Sequence, residues 1–445
     1  MLVLFATMLT CCQQPQGSAQ PAVEPIPHVV TADIQAGIER HIEEQTRLGG
    51  GHFTLPLKDK ELRLKLVRVH TEYLANLGPR RHFACVDLAS VEGDVYDVDF
   101  FLSGDPGAMT VTETTVHKIN GRPLYVWKRS PDDTWARAAV EGASPALLGV
   151  VEGRDRFEFI YQVTLPPLDD AARMWIPLPA SDEFQSARVT TITTPGARRI
   201  LTDDRFGNKV LFLELGPRDS GGAIEVRAEV DRREKAAYRD ERSTPEEFLA
   251  PERSAPVNDE FRRIASEALD GKKGELVRAR ALYDHTIDHM RYMKHGDYGR
   301  GNAQHACDAG TGNCTEYHSY FIALARASDP PIPARFAIGA AIPSERDEGG
   351  IDGYHCWAEF HADGRWWPVD ISEADKYSGL ATYYFGHHPA NRVELSRGRD
   401  LMVEPGPVSG PINFLADPVL EVAGKPVPVK PRYGFRRLAD DTGAP

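Results

Sequence analysis

Residues 353–374, GYHCWAEFHADGRWWPVDISEA, set Asp363-Gly364 between two runs rich in aromatic and aliphatic residues. An Asp-Gly pair flanked in this way is a strong hairpin signal. The tight primed turn needs positive φ at both central positions, and these two residues accept it. A two-residue turn fixes the register, so that Ala362 faces Arg365, Trp357 faces Asp370 and His355 faces Ser372. Those last four residues share one face, because strand side chains alternate. His355 and Asp370 become diagonal neighbours, with Cα atoms about 7–8 Å apart and side chains within reach. The pattern alone therefore sets an imidazole beside a carboxylate. A three-residue loop would turn one strand over and separate them.

Upstream, GNCTEYHSYF (312–321) puts Cys314 between a Gly-Asn turn and a run with helical spacing. A thiol in the first turn of a helix is biased toward thiolate by the partial positive charge there. In CTEYHSYFIALARA, the residues Cys314, Tyr317, Phe321 and Leu324 or Ala325 fall on one face, which points the thiol toward a core. Two further helices precede it. NDEFRRIASEAL has Asn258 as its cap, and GELVRARALYDHTIDHMRYM carries Leu276, Ala279, Leu282, Tyr283, Ile287 and Met290 on one stripe. The Gly-rich stretch 295–313 reads as a long ordered loop lining a cleft. Its DYGRGN lacks the strand–Gly-Lys-Ser/Thr–helix setting of a phosphate loop.

A chain of 445 residues exceeds one ordinary core, so several domains are expected. Residues 1–30 hold the apolar run MLVLFATMLTCC and a Pro/Gln/Ala linker, too short to span a bilayer. The run reads as a secretion signal, and Leu9-Thr10-Cys11-Cys12 resembles a bacterial lipoprotein cleavage box with Cys12 or Cys11 lipidated. An exported, periplasmic or envelope location follows as an expectation. Residues 31–128 read as a small α+β domain: a helix with Ile34, Ile38 and Ile42 on one stripe, then antiparallel strands. The acidic run EGDVYDVDF lacks the Gly and closing Glu of a calcium loop and reads as a solvated strand face; Cys85 reads as a buried apolar residue. Residues 129–154 show no period. Residues 155–235 alternate in short runs between turns, the pattern of a β-sandwich.

The blocks GNCTEYHSYFIALARASDPPIPARFAIGAAIP, GYHCWAEFH and WWPVDISEA resemble the signature blocks of the transglutaminase-like superfamily, in the family's chain order. The resemblance covers residues 245–400, and it implies a papain-like core with Cys314, His355 and Asp370 as the catalytic triad. The sandwich and the tail GRDLMVEPGPVSGPINFLADP, within an extension at 401–445, resemble exported bacterial members. The implied activity is a thiol acyl-enzyme formed on protein or peptide amides, resolved by an amine (cross-linking) or by water (hydrolysis). The backbone N–H of Cys314 is a natural oxyanion donor, with Gln304, Tyr317 and Trp357 as candidates for a second.

The fold class expected is thus α+β and multi-domain. A protein or peptide substrate is expected, with no cofactor, no metal and, at a net charge of −13, no nucleic acid partner. An N-terminal lipid would tether the chain to a membrane. Cys307 and Cys356 are candidates for a disulfide in an oxidising compartment. His305, Cys307, Cys314, His355 and Cys356 fit no zinc-ribbon spacing, and the adjacent His355 and Cys356 point to opposite strand faces. The competing reading is a non-catalytic envelope protein that binds proteins or peptides on the same fold.

Overall fold

The computed structural model describes residues 29–57, 59–71, 74–78, 80–129, 135–139, 149–294, 298–377 and 380–439. Cys11 and Cys12, and with them the expected signal and lipidation site, lie outside the described residues. Among the described residues, no helix is long and apolar enough to cross a membrane.

Helix α1 (Thr31–Leu48) buries the stripe Ile34, Ile38 and Ile42. It packs on an antiparallel sheet whose main path runs Phe53–Leu57, Lys60–Val69, Arg81–Ser90, Val95–Ser103, Thr110–Ile119 and Arg122–Pro123. Ala84, Val86, Leu88, Val98, Phe100 and Leu102 face α1 in one core. The other face of this sheet is not solvated as its acidic run suggested. Asp87, Asp97 and Asp99 are buried there. Helix α3 (Glu275–His289), which follows α2 (Asp259–Ala268), covers part of it, and Arg280 donates to Asp87 Oδ2 at 2.8 Å. A sequence pattern records polarity but not what packs over it. Cys85 is buried as expected, yet its thiol donates to Asp97 Oδ1 at 2.7 Å. The segment 129–154, which showed no period, supplies residues 135–139, and these pair with 125–129.

The sandwich has two five-stranded sheets. One runs Gln185–Thr193, Ala223–Arg233, Arg154–Thr164, Arg432–Arg437, Glu348–Ile351; the other runs Ala197–Thr202, Lys209–Leu215, Ala172–Leu178, Val419–Val422, Lys425–Val427. Residues 154–233 supply six of these strands, and the tail is no appendage: it supplies three more, adding Leu420, Tyr433 and Phe435 to the shared core. The strands Arg154–Thr164 and Ala172–Leu178 would otherwise expose a row of unpaired backbone groups beside an apolar face.

The third unit is built around α5 (Cys314–Ala327), flanked by α2, α3 and α4 (Ala303–Ala309) and by a sheet ordered Arg365–Val369, His355–Ala362, Ala334–Ala341, Arg392–Arg397. All of α5 is buried, so it is a central helix and not a one-faced one. Its polar side chains are paired accordingly: Arg326 donates to Glu252 at 2.9 Å and to the Ala334 carbonyl at 2.7 Å. The hairpin has the expected register, Ala362 to Arg365 and Ala358 to Val369, and φ is positive at both Asp363 (50°) and Gly364 (73°). One detail differs. The chain leaves the strand at Asp370, which caps α6 (Ile371–Lys376) by accepting the Glu373 N–H at 3.2 Å. Ser372 therefore does not extend the ladder; its hydroxyl donates to Asp370 Oδ1 at 3.2 Å.

Candidate active site

The start of α5 is built by its own sequence. Asn313 is the N-cap, its Oδ1 accepting the Thr315 N–H at 2.8 Å, and Glu316 returns a bond to the Asn313 N–H at 3.1 Å. This is a capping box. The buried Glu316 carboxylate also accepts the N–H groups of Gly299, Arg300 and Gly301, at 3.0, 3.0 and 2.7 Å. One side chain thus anchors both the helix terminus and the Gly-rich loop. Gly312 permits this, because a Cβ there would lie 2.4 Å from the Glu316 Cβ.

The hairpin delivers the partners. His355 Nε2 lies 2.6 Å from Asp370 Oδ2, leaving Nδ1 for the sulfur of Cys314. The groups that act on that sulfur are His355, the Cys356 thiol and the Cys356 backbone N–H, and all of them favour its thiolate. Burial alone would push the Cys314 thiol up. The hydrogen bonds from Cys356 and His355, with the imidazolium charge, outweigh it and bring the thiol down to about 5. Burial would likewise lower His355, but the charge and hydrogen bond of Asp370, and then Cys314, carry it up to about 9. Asp370 stays well below the usual carboxylate range: burial opposes ionisation, and His355, His318 and Arg392 overcome it. Cys356 is pushed well up, first by burial and then by Cys314, so it remains a thiol. Cys314, His355 and Asp370 are 2, 6 and 0 % exposed, so the group sits out of water. Low dielectric strengthens every interaction in it.

Adjacent strand residues were expected to point apart. His355 is the first residue of its strand, however, and both it and Cys356 reach Cys314 at the strand end. The expected Cys307–Cys356 disulfide is not formed. Both are free thiols. Cys356 packs inward, 3.6 Å from His318 Nδ1, whereas Cys307 sits on α4, near Tyr320 and Glu260. Of the candidate second oxyanion donors, Gln304 and Tyr317 are occupied, whereas the Trp357 indole N–H is buried without a partner among the described residues and its ring lies 6.4 Å from that of His355. Gln304 Nε2 donates to Glu260 at 2.8 Å and Asp308 at 3.0 Å. Tyr317 donates its hydroxyl to Asp375 at 2.6 Å. Trp357 lies against His388, with ring centroids 4.2 Å apart, and under Arg232. His305 lies on α4 with Cys307. Among the described residues, the groups of three side chains able to share one metal ion include none of Cys314, His355 and Cys356.

Sequence reasoning missed His318. It is fully buried one turn after Cys314, with Nδ1 2.7 Å from the Cys314 carbonyl and Nε2 accepting the Ile371 N–H at 3.0 Å. These two bonds define one neutral tautomer, and burial holds its pKa down at about 4. His318 therefore ties the cysteine turn to the residue after Asp370. The i, i+4 spacing from Cys314 was its signal. Tyr292 and Tyr354, whose phenols burial and then Cys314 push up, flank the sulfur and carried no signal.

Residues 262–371 match the family model of the transglutaminase-like superfamily. The matched segment is a transglutaminase-like core. It contains Cys314, His355 and Asp370. A curated relative, an uncharacterised protein of Haemophilus influenzae, is 26 % identical over 304 residues, spanning 57 % of this chain and 81 % of the relative. Two solved structures are also similar. One is a candidate cysteine protease from Cytophaga hutchinsonii (TM-score 0.45, 15 % identity, 65 % of this chain and 93 % of that one). The other is a candidate protease from Parabacteroides distasonis (TM-score 0.21, 11 % identity, 65 % and 63 %).

Proposed function

We propose that this protein is an exported cysteine acyl-transfer enzyme acting on protein or peptide amides. One observation carries the reading: buried Cys314 is drawn toward thiolate by Cys356 and by His355, whose Nε2 is held 2.6 Å from buried Asp370. The Cys314 thiolate attacks the amide carbonyl carbon, and the oxyanion forms against the Cys314 N–H at the start of α5. His355 gives its proton to the leaving amine, and a thioester remains. An incoming amine or water attacks the thioester, returns a proton to His355 and frees the thiolate. Asp370 orients the ring and favours its charged form. Residues 1–30 fit export, with Cys12 or Cys11 as lipid anchor.

The test is iodoacetamide alkylation of Cys314 against pH, followed by peptide mapping, in wild type and His355→Ala. Fast labelling below pH 7 that disappears in the variant supports the reading. A screen of glutamine-peptide donors with and without a primary amine then separates cross-linking from hydrolysis. The burial of Cys314 favours a second reading, a peptide-binding module without turnover. Slow labelling in both proteins, at the pH of an ordinary thiol, would leave that reading in place and end the first.

A further inference from the structure

The N-terminal sheet carries a second cluster of metal-ligating side chains. Cys85 and Asp87 on one strand lie opposite Asp99 and Asp97 on the next, and all four side chains share a face. Asp87 directly opposite Asp97 is a like-charge pair, which costs stability unless something answers it. His70, at the end of the neighbouring strand, donates its N–H to the Cys85 carbonyl at 2.9 Å and brings Nε2 to 3.0 Å from Asp87 Oδ1. On the other side, the ladder shifts between the partners of Asp97 and Val98, which are Lys118 and Val116. The shift leaves His117 out of the ladder. A bulge of this kind re-aims a side chain. His117 Nδ1 comes to 3.9 Å from Asp97 Oδ1 and 3.7 Å from Asp99 Oδ1.

Donor atoms of His70, Cys85 and Asp97 lie within 4.8 Å of one another, as do those of Asp97, Asp99 and His117. Asp97 joins the two groups. Its Oδ2 is fixed by Lys118 Nζ at 2.9 Å, which leaves Oδ1 facing Cys85 and His117. Asp87 Oδ1 is fully buried and faces His70 Nε2 at 3.0 Å. Asp99 accepts the Tyr125 hydroxyl at 2.6 Å. Three carboxylates, a thiol and two imidazoles thus converge between a strand exit and a bulge.

We propose that this cluster binds one divalent transition metal of the zinc class through His70, Cys85 and Asp97, with His117 and Asp99 completing the site. Thiolate and imidazole select zinc-class ions over calcium or magnesium. The ion takes the place of the Cys85 proton, which passes to solvent. A dication with one thiolate adds one net positive charge to a pocket of three buried carboxylates, where Arg280 and Lys118 already pair with Asp87 and Asp97. Lys118 orients Asp97, and Asp87 links the site to α3 through Arg280. The ion would pin three strands of the N-terminal sheet and stiffen the face that packs on the transglutaminase-like core.

The test uses the full chain in a Cys314→Ala background, which removes the one thiol, among the described residues, whose pKa is lowered. The chelator-treated protein is titrated with Co²⁺, and zinc is counted by mass spectrometry after reloading. The expected result is one ion per chain and a thiolate-to-cobalt charge-transfer band that Cys85→Ser abolishes. Lys118→Met should weaken binding by about 10–100-fold, as loss of a partner that orients a ligand does. If Cys85→Ser does not fold, His117→Gln, nearer the surface, provides the reading through a changed cobalt spectrum and weaker binding. Absence of the band before any ligand is changed overturns the proposal. A band that survives Cys85→Ser does so too, since Cys307 or Cys356 would then be the source.

Discussion

At the scale of single residues, the state of Cys314 is decided by neighbours that oppose burial. The thiol is brought down to about 5 and His355 up to about 9. As pH rises through the first value the thiolate forms, and as it rises through the second the imidazolium is lost. The two titrate as one coupled pair. Alkylation of Cys314 should therefore switch on near pH 5. Amide turnover, which also needs the imidazolium proton, should follow a bell that falls above about pH 9. An alkylation midpoint near the ordinary thiol value of about 8.5 would remove the ion pair from the account. Asp370→Asn deletes the charge that raises His355. The imidazolium then weakens and the thiol rises, so alkylation at pH 6 should slow by roughly 10-fold or more. His355 and Asp370 were legible as a pair because a two-residue turn fixes register. His318 was not read, since a buried histidine on a helix has the same spacing whether it packs or positions.

Among elements, α5 and the hairpin depend on groups outside them. Glu359, on the hairpin strand that begins at His355, accepts from Lys235 at 3.0 Å, Arg335 at 2.7 Å and Tyr238 at 2.9 Å, all buried. Glu359→Gln leaves two buried cations short of their counter-charge and should cost about 3–5 kcal/mol in urea unfolding. A cost below about 1 kcal/mol would mean that the network is solvated or redundant. Glu316 serves four backbone N–H groups. Glu316→Gln keeps the shape but offers one acceptor oxygen, so it should cost about 1–3 kcal/mol and loosen the Gly-rich loop. Hydrogen exchange at residues 299–301 checks this: unchanged protection would show that the loop is held by something else. The Asn313–Glu316 capping box was readable in sequence, but the bond from Glu316 to a loop more than ten residues upstream was not.

Over the whole molecule, three units share faces. The N-terminal sheet meets α3 through Arg280 and Asp87, both almost fully buried. Arg280→Met should strand the Asp87 charge and cost about 3–5 kcal/mol. Asp87→Asn in the same chain should recover part of that loss, and no recovery would mean that the damage is packing and not charge. Ending the chain at residue 417 removes three sandwich strands. The truncated protein should aggregate or melt well below the intact one in circular dichroism. A monomer with unchanged Tm would show that the six strands within 154–233 close the sandwich unaided.

Local chemistry settled much of this protein. Periodicity marked α1, α2, α3 and α5, an Asp-Gly turn fixed the hairpin, and the order of three motifs marked the core around Cys314, His355 and Asp370. These signals are short-range, and backbone geometry transmits them without help. Tertiary structure decided what they could not carry. It brought Cys314 to the strand end between His355 and Cys356, separated Cys307 from Cys356, and folded the tail into the sandwich. It also covered an acidic strand face that reads in sequence as solvated. Each of these is a contact between segments far apart in the chain, and burial depends on what arrives from elsewhere.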